Sequence, residues 1–215
     1  MAEGAVSGDE AGRAAKAEAV VRHEFAQFQH VRGDDGRADC QDDWPTFRAM
    51  RLSQFLEWTP RLLDSYAEDL DVADATGRNL LTEKYARMMR STAPERYARE
   101  IAPHLPPLSS TRVALQERIV ATQVAWARDF RARYPRLGAG MRVLTTSEDS
   151  DEATSLETYL RGELGTYSTR TLRLYAELVD AVAAAGGNLT ERAVARTAGY
   201  AGFADLDAAE AAQGA

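Results

Sequence analysis

Glu163 shares a helical face with Leu156, Leu160 and Tyr167, at i−7, i−3 and i+4, so its carboxylate falls on an apolar stripe. A carboxylate placed there must be paired, protonated or bound to something, because burying an unpaired charge costs several kcal/mol. Its chemistry would be that of a buried acid or base. Gln54 has the same placement, in line with Phe47, Arg51 and Trp58. Two such groups either face a shared cavity or form a structural pair that holds two helices in register, and the residues leave both open. Arg51 and Arg161 would hold an anion, while Gln54, Tyr85 and Tyr159 would orient a ligand by hydrogen bonds. Glu157 and Arg161, at i and i+4, are either an ordinary surface pair or an arginine fork for an anionic ligand. Glu83 stands in a first helical turn, where it also answers the helix dipole, and of Glu83-Lys84-Tyr85 only Tyr85 has the spacing to face inward with Leu81 and Met88. The expected catalytic residues are therefore Glu163 and Tyr85. The expected ligand-binding residues are Arg51, Gln54, Tyr159, Arg161, Glu83 and Glu157.

Absent signals narrow the field. His23, His30 and His104 are the only histidines and none sits in a Glu-x-x-His unit, which argues against a di-iron bundle or a zinc hydrolase. Asp42-Asp43, Glu148-Asp149 and Asp151-Glu152 precede helices and read as caps, without the spacing of a calcium loop. Cys40 has no base placed beside it. Gly138-Ala139-Gly140 lacks the strand and third glycine of a dinucleotide fingerprint, and no nucleophile elbow is present. No metal site is assigned, and the residues name no cofactor, reaction or oligomeric state.

The elements that must position these side chains are helices, since no window sustains strand alternation. After a tail over residues 1–12, an apolar stripe of Val21, Phe25 and Phe28 marks a first helix, ended by a loop over 32–37. Asp43-Trp44-Pro45 starts a second, and Thr59-Pro60 marks a break and restart. Gly77 suits a C′ position, and Asn79 or Thr82 caps the helix that follows. Pro94 and Pro103 bound a short turn, and Ser110 or Thr111 opens a long helix that Pro135 closes. Residues 137–150 read as loop with a short strand-like run at 141–144. The expectation is an all-α, single compact domain over 13–215, with about seven to nine helices.

The stretch 39–89 recurs without a gap as 148–198, 109 positions on: Tyr66-Ala67-Glu68 matches Tyr175-Ala176-Glu177, Asn79-Leu80 matches Asn188-Leu189, and Ala86-Arg87 matches Ala195-Arg196. A duplicated helical unit with pseudo-two-fold related helix pairs follows, and the seam between its halves is the natural place for a site.

Over 215 residues the chain is 45% hydrophobic and 27% charged with a net charge of −7, an acidic balance that speaks against nucleic-acid binding. The single cysteine excludes an internal disulfide. No signal-peptide core or membrane span is apparent, so the expected location is the cytoplasm, with no membrane partner.

Three blocks carry a family likeness: Gly36 through Trp44, Gly77 through Met89 (GRNLLTEKYARMM), and Thr154 through Ser168 (TSLETYLRGELGTYS). They resemble a bacterial domain-of-unknown-function family, four-one-two-five, over about residues 24–210. That resemblance implies no settled activity. Some members look like extensions of nucleotidyltransferase-like proteins, which implies helper work beside a nucleotide-using enzyme.

The expected function is binding of a small polar or anionic metabolite in a pocket between the two halves, with cofactor-independent acid–base catalysis as its extension. The alternative is a non-catalytic adaptor docking to a partner enzyme such as a nucleotidyltransferase-like protein. A Glu163 satisfied wholly by arginine and backbone groups, with no cavity beside it, would decide for the adaptor.

Overall fold

The structure, a computed structural model, describes residues 2–32, 36–37, 39–150 and 152–214; of 2–9, 39 and 40 it describes the backbone alone. Part of the expected loop at 32–37, Asp151 and the Cys40 side chain lie outside what is described. Eleven α-helices run in order: α1 Ala2–Phe28, α2 Trp44–Phe55, α3 Pro60–Ala75, α4 Leu80–Thr92, α5 Pro94–Arg96, α6 Ser110–Arg133, α7 Pro135–Ala139, α8 Leu156–Leu164, α9 Thr169–Ala184, α10 Leu189–Tyr200 and α11 Leu206–Ala212. No strand occurs among the described residues, and the all-α class holds.

Local chemistry sets the boundaries. The side chains of Asp43, Thr59, Asn79, Ser109, Ser155, Ser168 and Asn188 each accept a backbone N–H in the first turn of the helix they precede. Gly77 and Gly186 follow α3 and α9 at φ 69° and 68°, conformations that cost glycine nothing.

Three expectations are revised. The count among the described residues is eleven, because the three-residue α5 registers as a helix and Pro135 both closes α6 and, at a first-turn position it suits, opens the five-residue α7. The strand-like run at 141–144 is not a strand; with one partner segment at most in so short a stretch there is no sheet to join. Helical backbone starts at Ala2, ahead of the expected Arg13, because the small and acidic residues that suggest a tail are also compatible with an exposed helix.

At the centre α3 packs on α9, where Ser65 Oγ and Thr171 Oγ1 are 2.8 Å apart. On one flank α4 crosses α8, and on the other α10 crosses α2. Helix α1 lies over α2, α3 and α4, and α6 lies over α8, α9 and α10. The core they enclose runs from Val20 and Val21 through Phe55, Trp58, Leu62 and Leu63 to Ile119, Leu164, Leu172 and Val179. A smaller cluster of Phe130, Ala198, Leu206 and Ala209 seats α11.

The α4·α8 crossing is close. A Cβ on Gly162 would come within 2.7 Å of the Lys84 carbonyl and of Met88 Cγ, so only glycine permits this approach. It brings Arg87 and Met88 on α4 alongside Thr158 and Arg161 on α8.

Candidate functional site

Two polar regions flank that crossing. The first is a closed charge cluster. Glu24 of α1 takes both Arg51 Nε and Nη2 at 2.7 Å, and Tyr66 Oη donates to it at 2.7 Å. Arg51 Nη2 reaches Glu163 Oε1 at 3.1 Å, and Tyr167 Oη donates to the same oxygen at 2.9 Å. Lys84 Nζ donates to Glu163 Oε2 at 2.6 Å and sits 3.6 Å from the Tyr159 ring centroid. Arg51 also donates to Gln54 Oε1 at 2.5 Å and lies over the Phe55 ring. All four charged groups are buried, and two carboxylates balance two cations. Burial alone would push the Glu163 carboxyl up, but Arg51 and Lys84 outweigh it and hold it well below the usual carboxylate range. Burial likewise works against a charged Lys84, and Glu163 more than compensates. Every donor-hungry oxygen in this cluster is occupied, which is how a buried ion network becomes tolerable.

The second region is a cleft of about 370 Å³ between α4, α6 and α8. Arg87, Met88, Arg90 and Ser91 form its α4 wall. Val113, Gln116 and Glu117 of α6 meet Thr158 and Arg161 of α8 on the opposite side, and Tyr97 with Leu108 closes the rim. Arg161 is clamped: Glu117 takes its Nε at 2.8 Å and Nη2 at 2.7 Å, and Glu157 takes Nη2 at 2.7 Å. Burial raises the Glu157 carboxyl, yet the Thr146 amide at 2.6 Å and Arg161 bring it below its ordinary value.

Arg87 is different. It is 9% exposed, its Nη2 donates to the Pro106 carbonyl at 2.8 Å, and its Nε has no partner among the described residues. Burial lowers its pKa below the ordinary arginine value. Its helix neighbour Glu83 offsets part of this through space, but makes no ion pair with it, because Arg78 takes both oxygens of that carboxylate at 2.7 and 2.8 Å. Gln116, 5% exposed, donates Nε2 to the Arg161 carbonyl at 2.8 Å while its Oε1 accepts nothing among the described residues. A buried donor or acceptor left without a partner costs about 1–3 kcal/mol, and a built site is one place such a cost is recovered.

Of the eight residues expected from sequence to carry function, the fold gathers Glu163, Arg51, Gln54 and Tyr159 around the closed cluster, and only Arg161 lines the cleft. Glu157 stands behind Arg161, positioning it. Glu83 is buried in its pair with Arg78, whereas Tyr85 is half-buried against Phe28, ring centroids 6.2 Å apart. This corrects the expectation that only Tyr85 of that trio faces inward: Glu83 and Lys84 are both buried. The inner face of α4 is Leu80, Leu81, Lys84, Arg87 and Met88, one position off the stripe through Tyr85. Sequence reasoning passed over Arg87, Arg90, Gln116 and Glu117. The signal for two of them was present: Arg87 is three residues after Lys84 and seven after Leu80, and Gln116 precedes Ile119 and Val120 by three and four. Among the described residues, no three His, Cys, Asp or Glu side chains converge as a metal site would require. No helix among the described residues is long and apolar enough to cross a membrane.

An all-helical domain with a ligand-sized cleft beside a sealed ion network is the class that fold and geometry define. Residues 15–211 match the model of a family described as "Protein of unknown function (DUF4125)", and the chain belongs to that family. No curated protein matches the chain, and no solved structure does.

Proposed function

We propose that this protein binds a small polar anion, a carboxylate or phosphate compound of metabolite size, in the cleft between α4, α6 and α8. The observation that carries this reading is Arg87, a nine-tenths-buried guanidinium with no carboxylate partner beside a cavity of ligand size. Arg90, exposed at the same wall and also without a carboxylate partner among the described residues, supplies the second positive charge. The acid–base extension has less support, because both oxygens of Glu163 are engaged and it does not line the cleft.

Thermal-shift titration with inorganic phosphate and with small mono- and dicarboxylates tests the reading. A saturable rise in Tm is expected, since a ligand that binds only the native state stabilises it. Arg90→Gln should abolish the rise without lowering the ligand-free Tm. A flat response to every anion overturns the proposal.

A second reading, a non-catalytic adaptor docking to a partner enzyme such as a nucleotidyltransferase-like protein, is favoured by the complete engagement of Glu163, which does not line the cleft. It becomes the better account if no anion binds.

We infer further that the chain is an internal duplication. Supporting this, α3 and α9 are both 16 residues long and start 109 positions apart. The flanking crossings exchange partners, α4 with α8 and α10 with α2. Asn79 and Asn188 also make like contacts, donating to the Gln27 carbonyl of α1 and the Trp126 carbonyl of α6. The proposed compartment is the cytoplasm, on the strength of the lone cysteine.

A further inference from the structure

Gly165 ends α8 in ordinary helical backbone, φ −64° and ψ −20°, a conformation open to any residue. Leu56, 109 positions earlier, ends α2 in the same turn at φ −67° and ψ −15° with a full side chain. The backbone therefore does not require glycine at 165; the space beside it does. A Cβ there would lie 2.7 Å from Arg87 Cδ and 3.2 Å from Arg87 Nε. It would also lie 3.0 Å from the Arg161 carbonyl, but that approach belongs to the turn itself, which Leu56 adopts. Arg87 Cδ is no loose end that could swing aside, because the guanidinium beyond it is tied to the Pro106 carbonyl at 2.8 Å.

The other flank shows the same turn with that space filled. There Arg196 is exposed and pairs with Glu57, the residue after Leu56. Here Arg87 is buried, and the residue after Gly165 is the uncharged Thr166, whose hydroxyl donates to the Glu163 carbonyl at 2.7 Å. Two adjacent differences, leucine against glycine and glutamate against threonine, accompany the change from a surface ion pair to a buried cation in a cleft wall. We infer that Gly165 is the positioning residue of the cleft: by lacking a side chain it seats Arg87 against the end of α8 and so sets the guanidinium where the proposed anion would lie. Its part in binding rests on the anion reading above, since Gly165 itself does not line the cleft.

A double-mutant cycle on the full chain tests this, followed by ligand-free Tm and by titration with inorganic phosphate and small mono- and dicarboxylates. Gly165→Ala should lower the Tm of the wild type and weaken anion binding at least about tenfold. Arg87→Ala removes the Cδ that the new methyl would strike. In that background Gly165→Ala should raise the Tm instead, since alanine in helical backbone leaves the unfolded chain less freedom than glycine does. Should Gly165→Ala not fold alone, recovery in the double variant is the expected result, and failure there too overturns the inference. An equal Tm change in both backgrounds means the glycine does not serve Arg87, and the inference is lost while the anion reading stands. Coupled Tm changes with undiminished anion binding overturn it as well, because the seat would then serve the fold alone. If the wild type binds no anion, the anion reading falls and the positioning role falls with it.

Discussion

Lys84 and Arg87 stand one turn apart on the same face of α4 and meet opposite surroundings. Lys84 points into a cluster where each charge has its counter-charge and tyrosine hydroxyls complete the hydrogen bonding. Arg87 lines the cleft, and its acceptor among the described residues is the Pro106 carbonyl. The second flank of the fold sharpens the contrast. At the position 109 residues after Arg87, Arg196 pairs with Glu57 through its Nε at 2.5 Å, and the residue 109 after Glu57 is Thr166. One crossing closes its arginine with a glutamate, while the other leaves the guanidinium to something else. Saturated polar groups hold a structure together, whereas the unsaturated one beside the cavity is what the proposed anion would satisfy.

Substitutions that attack the two regions separately should give effects of different size. Arg51→Met strands Glu24 and leaves Glu163 with one cation, so urea unfolding should report a loss of about 3–5 kcal/mol. A loss under about 1 kcal/mol would mean the cluster is a spectator.

Acid should probe the same cluster more gently. The Glu163 carboxyl titrates below its ordinary value of about 4.5 in the folded state, so its contribution is fully present above that pH and is lost as pH falls towards the folded value. Stability measured from pH 6 to pH 3 should fall more steeply in the wild type than in Glu163→Gln, by roughly 1–3 kcal/mol. Parallel curves would contradict the assignment.

The smallest effect should come from the cleft: Arg87→Met gives up one bond to Pro106 and one buried, unpartnered donor, and should stay within about 1 kcal/mol of the wild type while anion binding disappears. A large destabilisation there would turn Arg87 into a structural residue and erase the contrast.

Much of this was legible in the chain. The caps at Asp43, Thr59 and Asn79, the proline at the start of α3 and the glycine after it are local signals, and helix boundaries followed them. The periodicity around Glu163 correctly marked a carboxylate on a buried face, and Arg51 and Gln54 were found by the same logic. What the pattern does not carry is who neutralises whom. Glu24 and Lys84 complete the cluster from α1 and α4, and their pairing depends on helix crossings that no spacing within one helix encodes. Arg87 and Gln116 occupy apolar stripes of their own, but the spacing does not show which buried polar side chain lacks a partner. The offset between Tyr85 and the true inner face of α4 shows how one residue of rotation, about 100°, moves a side chain from core to rim.

Because Glu24 belongs to α1, the first helix contributes one of the four charges of the sealed cluster. Lifting it away would expose more than an apolar face, since it would leave the interior with an uncancelled positive charge under Arg51. The helix thus behaves as an electrostatic keystone. Sequence added ahead of it should be harmless, whereas proteolytic trimming past Glu24 should take the whole fold with it.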